Sequence, residues 1–448
     1  MANVKDKYPE FYTVDDAINF DEATCKMIQE KYSNTLKVQL SGAHYFVKAE
    51  NAHLTEANGK QWIDMLGAVG VMSVGNNNEF VWKQIEKVFN ARCYNMGAVS
   101  YHNIAAAFYS NIARTTPGGA LTKVQMATGG AEALEGCIKL VKIAHRNNKN
   151  KTKILSTINA FHGKTAGAVS VGGKDTWQAY QGGLILDQVT HIPYNDVAAL
   201  KKELETGQYQ AFFMEPVQGE GGVNVASEEF FKTARDLCTK TNTYLVADEV
   251  QTGCGRTGKM WACQWFDIIP DVMSFAKGIS GGFIPLAGYC AKPEVHDAAY
   301  GTPETAFHHT ATYQGCAYAA ASGIAALQFI IENDLPGMAN EKGKVIFDAM
   351  KATKEKYPGI IKDVRGKGMI IGVEFEPTKP GLEDKYGANW ATECERFFSE
   401  EFRIQVMHSF NNQKVFRWLP PLTAPMEDIE YAIKSFDAAV KHVYDLAK

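Results

Sequence analysis

Residues 243–284 read TYLVADEVQTGCGRTGKMWACQWFDIIPDVMSFAKGISGGFI. Two short apolar runs stand out. Tyr244-Leu245-Val246-Ala247 leads into Asp248 and Glu249, and Val272-Met273-Ser274-Phe275-Ala276 leads into Lys277 and a glycine-rich turn. Runs of this length and composition predict buried strands of a parallel sheet. Ligands of open α/β sheets sit beyond the carboxyl ends of the strands, so the pattern brings a carboxylate and an amine to one crevice. Either residue alone has an ordinary explanation: an acid after a strand commonly caps a helix, and a lysine there is commonly solvated. Together they suggest a cofactor site in which the acid holds a ring nitrogen and the lysine forms an imine. The other reading, magnesium carboxylates of an ATPase, needs a phosphate loop. Gly163-Lys164-Thr165 is present, but Ile158 stands where that loop needs its first glycine.

Composition narrows the classes. The chain has 448 residues, 46% hydrophobic, enough for two or three domains around a large core. A formal charge of −4 and the absence of a basic, aromatic-interleaved patch argue against nucleic acid as a partner. No apolar run approaches the ~20 residues of a membrane span, and the N-terminal stretch has no apolar signal region. Nine cysteines without a C-x-x-C pair suggest reduced thiols and a cytoplasmic setting. His308 and His309 are adjacent, so their side chains point apart, and no acid or cysteine completes a ligand set; no metal site is expected.

Along the chain, two alternating runs flank Asn58-Gly59 within 44–64, which predicts a hairpin. Residues 79–115 read as helical. Val124–Met126, Ile154–Ile158 and Ala211–Met214 read as further strands. Gly129-Gly130 opens a helix running to His145, and such a turn offers backbone N–H groups to an anion. Residues 316–356 read as long helices broken at Asn333–Pro336, residues 360–374 as a strand pair, and the tail from Met426 as an amphipathic helix. Arg417 lies in an apolar segment before Pro420-Pro421, where an idle charge would be costly.

The blocks DEVQTGCGRTGKM and AKGISGGFIPLAG resemble the core of the class III pyridoxal-phosphate (PLP) aminotransferases, and the resemblance extends from about Gly59 to the C-terminus. It implies an α/β fold, PLP-dependent transferase fold type I. A large domain with a mostly parallel seven-stranded sheet (60–325) would be joined by an N-terminal arm that belongs partly to the small domain (1–59) and by a small α+β domain (326–448). It implies a homodimer with active sites at the interface, and dimers that can pair into tetramers. Lys277 would form the Schiff base with the cofactor and carry the proton. Asp248 would hold the pyridine nitrogen, Gln251 the phenolic oxygen and Val250 the underside of the ring. Phe161, from the F-H-G motif, would stack on the ring, with His162 beside it. Gly130 and Ala131 match the phosphate cup, in which Gly129 replaces a serine. Thr312 would reach the phosphate of the neighbouring subunit. Arg417 would grip the acceptor's carboxylate, Glu220 would pair with it and move for different substrates, and Val69 would line the substrate pocket.

The segments Asn333–Pro336, Arg365–Met369 and Asn411–Leu422 look most like the putrescine-type enzymes. That implies a terminal-amine donor (a diamine or ω-amino acid) and 2-oxoglutarate or pyruvate as acceptor. An amino-acid racemase or epimerase of the same fold is the alternative, since the same lysine can return the proton to the other face.

Overall fold

The computed structural model describes residues 4–33, 44–97, 100–181, 183–376 and 390–447. The first strands are β1 (Phe46–Glu50), β2 (His53–Glu56) and β3 (Gln61–Asp64). β2 and β3 form the hairpin expected around Asn58-Gly59, with Leu54 opposite Trp62. The N-terminal stretch carries three short helices, Val4–Lys7, Val14–Ile18 and Glu22–Tyr32. The rest of the predicted arm, 34–43, lies outside the described residues.

The central sheet uses β4 (Lys123–Ala127), β5 (Lys153–Thr157), β6 (Val189–Ile192), β7 (Tyr209–Met214), β10 (Tyr244–Asp248), β11 (Val272–Phe275) and β12 (Ala287–Ala291). Between them lies a small two-stranded ribbon, β8 (Val217–Gln218) and β9 (Asn224–Val225). The order is β4-β12-β11-β10-β7-β5-β6, and β12 alone runs against its neighbours. This is the seven-stranded, mostly parallel sheet of the expected fold. Its central strands β7, β10 and β11 are buried almost end to end because both faces are covered. Phe212, Leu245 and Met273 face one core with Phe108, Phe230 and Ile330. Phe213, Val246 and Val272 face the other, against Leu134, Ile138 and Val141 of helix Gly130–Ala144.

The stretch 79–115 is not continuous helix. It forms helices Glu79–Asn90 and Asn103–Thr115, and Met96 between them bridges to Cys316. Met96 supplies a strand-like contact to Cys316 just ahead of helix Ala317–Glu332, and this tertiary pairing wins over the helical pattern.

Toward the C-terminus, β13 (Ile361–Lys367), β14 (Ile370–Phe375), β16 (Met407–His408) and β17 (Val415–Trp418) make an antiparallel sheet ordered β13-β14-β17-β16. β15 (Ile404–Gln405) leaves that sheet and pairs in parallel with β3. The tail helix Met426–Ala447 buries Ile429, Phe436 and Val440, and Phe436 packs against Phe398, Phe416 and Trp418.

Strand register positions the functional residues. Asp248 pairs across to Ser274 on β11, and Ala247 pairs with Met214 on β7. The next residue of β7, Glu215, therefore emerges beside Asp248, and Lys277 follows three residues after Ser274. All leave the sheet at the carboxyl edge.

Candidate active site

A cavity of about 420 Å³ opens at that edge. Gly130, Ala131, Phe161, His162, Glu220, Asp248, Val250, Gln251 and Lys277 all line it. Glu215, Val71 and Lys164 line it as well.

Lys277 begins a 3₁₀ turn directly after β11, with a left-handed backbone (φ +51°). For a lysine this costs ~1 kcal/mol, held by the packing around it. The next residue must be glycine: a Cβ at Gly278 would stand 2.6 Å from Ser73 Oγ. Burial pushes the Lys277 amine down to about 8. The Glu220 carboxylate opposes the shift, the Arg417 guanidinium reinforces it, and Asp248 and Glu215 oppose it more weakly.

Asp248 is buried and fully engaged on its sheet side. Its Oδ1 accepts from the Val250 amide and the Ser274 hydroxyl, both at 3.0 Å, and its Oδ2 lies 2.7 Å from His162 Nδ1. His162 is buried too, and its Nε2 has no partner in the structure. Glu215, whose Oε2 accepts from the Phe161 amide, is driven well above the carboxylate range by burial and then by Asp248.

At the opposite end, helix Gly130–Ala144 starts without a side-chain cap, since Gly129 has none to give. Its first N–H groups face the cavity with the positive end of the helix dipole. Two close approaches shape this end. A Cβ at Gly163 (φ +119°) would stand 2.5 Å from the Ala131 Cβ, and one at Gly130 would stand 3.0 Å from Val250 Cγ1.

Gln251 Nε2 reaches the Val69 carbonyl at 3.3 Å and Glu220 Oε1 at 3.4 Å, and its Oε1 has no partner. Glu220 Oε1 accepts from Arg417 Nη1 at 2.6 Å, both groups being buried. Burial pushes the Glu220 carboxyl up, but Arg417 and Lys277 outweigh it and hold it below its usual range. Arg417 sits on β17 with Nε and Nη2 unpaired. It is behind Glu220 rather than among the residues lining the cavity.

Two more expected residues, Val69 and Thr312, also stand outside the lining. Val69, with φ +61°, turns its side chain onto Val217, Val223, Ile370 and Leu419, and Val71 lines the cavity instead. The left-handed pair Ala68-Val69 reverses the chain, so that Val69 offers its carbonyl to Gln251. Thr312 is exposed on a turn outside its own chain's cavity. Ser274 and Glu215 carry no role in the sequence reading. A lone hydroxyl inside the apolar run Val-Met-Ser-Phe, three residues before Lys277, is the signal for the first. The signal for the second is an acid directly ending a fully buried strand.

The site is thus a flat slot with an anion-seeking helix end, an amine, and an acid braced by a histidine and a serine. PLP fits it: an uncapped helix terminus for the phosphate, glycines where any side chain would crowd that end, a buried carboxylate for a protonated ring nitrogen, and the Gln251 amide in the wall, its Nε2 held only by long contacts of 3.3 and 3.4 Å.

Comparison with known proteins agrees. Residues 38–440 match the class III aminotransferase family. An uncharacterized aminotransferase of Schizosaccharomyces pombe is 47% identical over 442 residues, covering 97% of this chain and 91% of that protein. A transaminase from a marine Virgibacillus superposes with a TM-score of 0.85 at 26% identity, covering 94% of this chain and 99% of the other. The ornithine aminotransferase of Toxoplasma gondii, solved with partial occupancy of PLP at its active site, superposes at 0.84 and 25% identity, covering 100% and 99%. These relatives are aminotransferases and do not favour the racemase alternative. With an amine, an acid and a phosphate-seeking helix end converging at the sheet edge, and a family match across most of its length, this chain is a PLP-dependent class III aminotransferase.

Proposed function

We propose that the enzyme moves an amino group from a terminal-amine donor (a diamine or ω-amino acid such as putrescine, ornithine or 4-aminobutyrate) to 2-oxoglutarate or pyruvate by a ping-pong mechanism. The observation that carries this reading is the Glu220–Arg417 pair, 2.6 Å apart and buried. While it is closed, no guanidinium among the described residues lines the cavity to face an α-carboxylate near Lys277, and the wall beside it carries the apolar Val71, Val217 and Leu286. A donor that presents a terminal amine suits that state. When Glu220 withdraws, Arg417 is released to grip the acceptor's carboxylate at two points.

PLP, when bound, supplies a carbon that accepts the amine and a ring that draws electron density from the breaking C–H bond. The chain's own residues do the rest. Lys277, whose amine burial brings down to about 8, takes the proton from the substrate carbon in its neutral form and redelivers it. Asp248 keeps the ring nitrogen protonated, and His162 and Ser274 hold Asp248 in place. Gln251 orients the phenolic oxygen, Val250 and Phe161 confine the ring, and Gly130, Ala131 and a second subunit's Thr312 hold the phosphate.

A homodimer, or a pair of such dimers, follows from that use of Thr312. The division at about residues 60 and 325 belongs to the same proposal. Its support is that the central sheet lies within 123–291, while β15 ties the N-terminal strands to the C-terminal region. A cytoplasmic setting is supported by nine free thiols.

The test follows the visible absorbance of the purified holoenzyme on adding putrescine, ornithine, 4-aminobutyrate or lysine with no acceptor. Bleaching by one terminal amine, reversed by a 2-oxo acid, is expected. A response confined to α-amino acids such as isoleucine would reject the donor class.

A further inference from the structure

Helix Gly130–Ala144 spans about 20 Å from the catalytic cavity to the opposite edge of the sheet. There, at the amino ends of β5, β7 and β10, two adjoining hollows of about 610 and 370 Å³ share His145, Asn148 and Lys149. Five cations line them: Lys142, Arg146, Lys149, Lys151 and Lys153, against one acid, Asp187. Among the described residues none of the five forms an ion pair, although the chain as a whole carries a charge of −4.

A solvated cationic face or a helix C-terminus seeking positive charge explains only part of this. Arg146 alone reaches a last-turn carbonyl, that of Ile143. Lys151 is buried, its ammonium held by the Tyr209 carbonyl at 2.7 Å and the Thr243 hydroxyl at 3.2 Å. Burial pulls the Lys142 and Lys151 amines below their ordinary range; the Asp187 carboxylate opposes the shift at Lys142, but neither amine forms an ion pair among the described residues. His145 is 95% buried, lines both hollows, and its Nε2 has no partner. Burial first, and Lys151 second, push its imidazole down to about 4. Gln210 Oε1, also buried, is likewise unpartnered at the second hollow. Cations without an ion-pair partner, gathered around a buried ring nitrogen that can donate and has no partner among the described residues, make a site that lacks its anion.

We propose that this concavity binds a small anion bearing two or more phosphate groups, gripped by Lys149 and Lys153 at the rim and by Lys142 and Lys151 within. Convergent ammonium groups on one concave surface select a multiply charged phosphate chain over a single carboxylate.

The experiment titrates the full-length, PLP-saturated enzyme calorimetrically with inorganic phosphate, pyrophosphate and ATP, in wild type and in Lys149→Ala/Lys153→Ala. Neither ammonium makes a hydrogen bond among the described residues, so the double variant should fold and transaminate as wild type. Expected is one pyrophosphate per chain, with a dissociation constant below ~1 mM at physiological salt. The double variant should weaken it at least ~10-fold, which is the size of one lost charge-assisted contact. Equal affinity for pyrophosphate and ATP assigns the phosphate chain alone, and at least ~10-fold tighter ATP assigns a nucleotide. Absence of saturable binding, binding unchanged in the variant, or displacement of pyrophosphate by added PLP would overturn the proposal.

Discussion

Ser274 and Asp248 lie opposite each other in the parallel pairing of β11 and β10, and the Ser274 hydroxyl donates to Asp248 Oδ1 at 3.0 Å. With His162, from the loop after β5, on the other oxygen, the carboxylate is fixed from two sides before any cofactor arrives. Ser274→Ala should therefore leave the fold intact and weaken the grip on the ring. A hydrogen bond to a charged group is worth ~1.5–3 kcal/mol, of which the kinetic share should be about a tenfold loss in kcat and faster PLP release. Asp248→Ala should cost ~10²–10⁴ in kcat. Steady-state kinetics together with PLP retention on gel filtration separate the two variants.

Lys277 supplies a pH prediction in two parts. Its amine titrates near 8 in the folded chain against an ordinary value of 10.5. Between those values the unfolded chain binds the extra proton, so this group makes stability rise with pH across that window. Below it, the apo-protein carries the full penalty. Lys277→Met should raise apo-protein stability at pH 7 by ~2 kcal/mol, with the gain fading toward the upper end of the window. Chemical denaturation of both proteins across that pH range checks it. In the native enzyme, single-turnover proton transfer should quicken as pH rises through about 8.

Removing Glu220 strands the Arg417 guanidinium, which already has two unpaired nitrogens. Glu220→Ala should destabilise the protein by ~3–5 kcal/mol. Glutarate, an unreactive dicarboxylate, should recover part of the lost melting temperature in this variant and much less in wild type. The same variant should improve α-amino acids as donors relative to terminal amines, read as the ratio of kcat/KM values.

Gly163 combines a positive φ of +119° with a Cβ position 2.5 Å from the Ala131 Cβ. Gly163→Ala should cost ~1–3 kcal/mol and push the phosphate end of the slot out of shape. Thermal unfolding and the PLP dissociation constant report the two effects.

Thr312 lies outside its own chain's cavity. If it serves a second subunit, Thr312→Val should weaken PLP several-fold while leaving the sedimentation of a dimer unchanged. A PLP-loaded wild-type monomer in sedimentation would reject the arrangement.

Much of the site is legible because the strands that carry it are short and apolar. A residue that breaks such a run, like Asp248 or Lys277, must sit where the sheet ends, so linear position already assigns it to the crevice. Gly129-Gly130 before a helix is legible for a related reason, since a glycine start leaves the N–H groups uncapped. Arg417 is legible as a charge in an apolar run, and its pairing with Glu220 follows from the family resemblance, whereas its geometry does not.

The chain's own order of apolar runs, glycine turns and breaking charges determined the α/β class, the strand edges and the identity of the amine and the acid. Tertiary structure alone decided the rest. Register set Ser274 on one side of Asp248 and Glu215 on the other, because which residues face one another across strands depends on pairing partners far apart in sequence. The left-handed turn at Ala68-Val69 sent the Val69 side chain away from the cavity, a backbone choice that composition does not announce. The pKa shifts at Lys277 and Glu215 exist only once burial removes water and brings like charges close, Arg417 near Lys277 and Asp248 near Glu215.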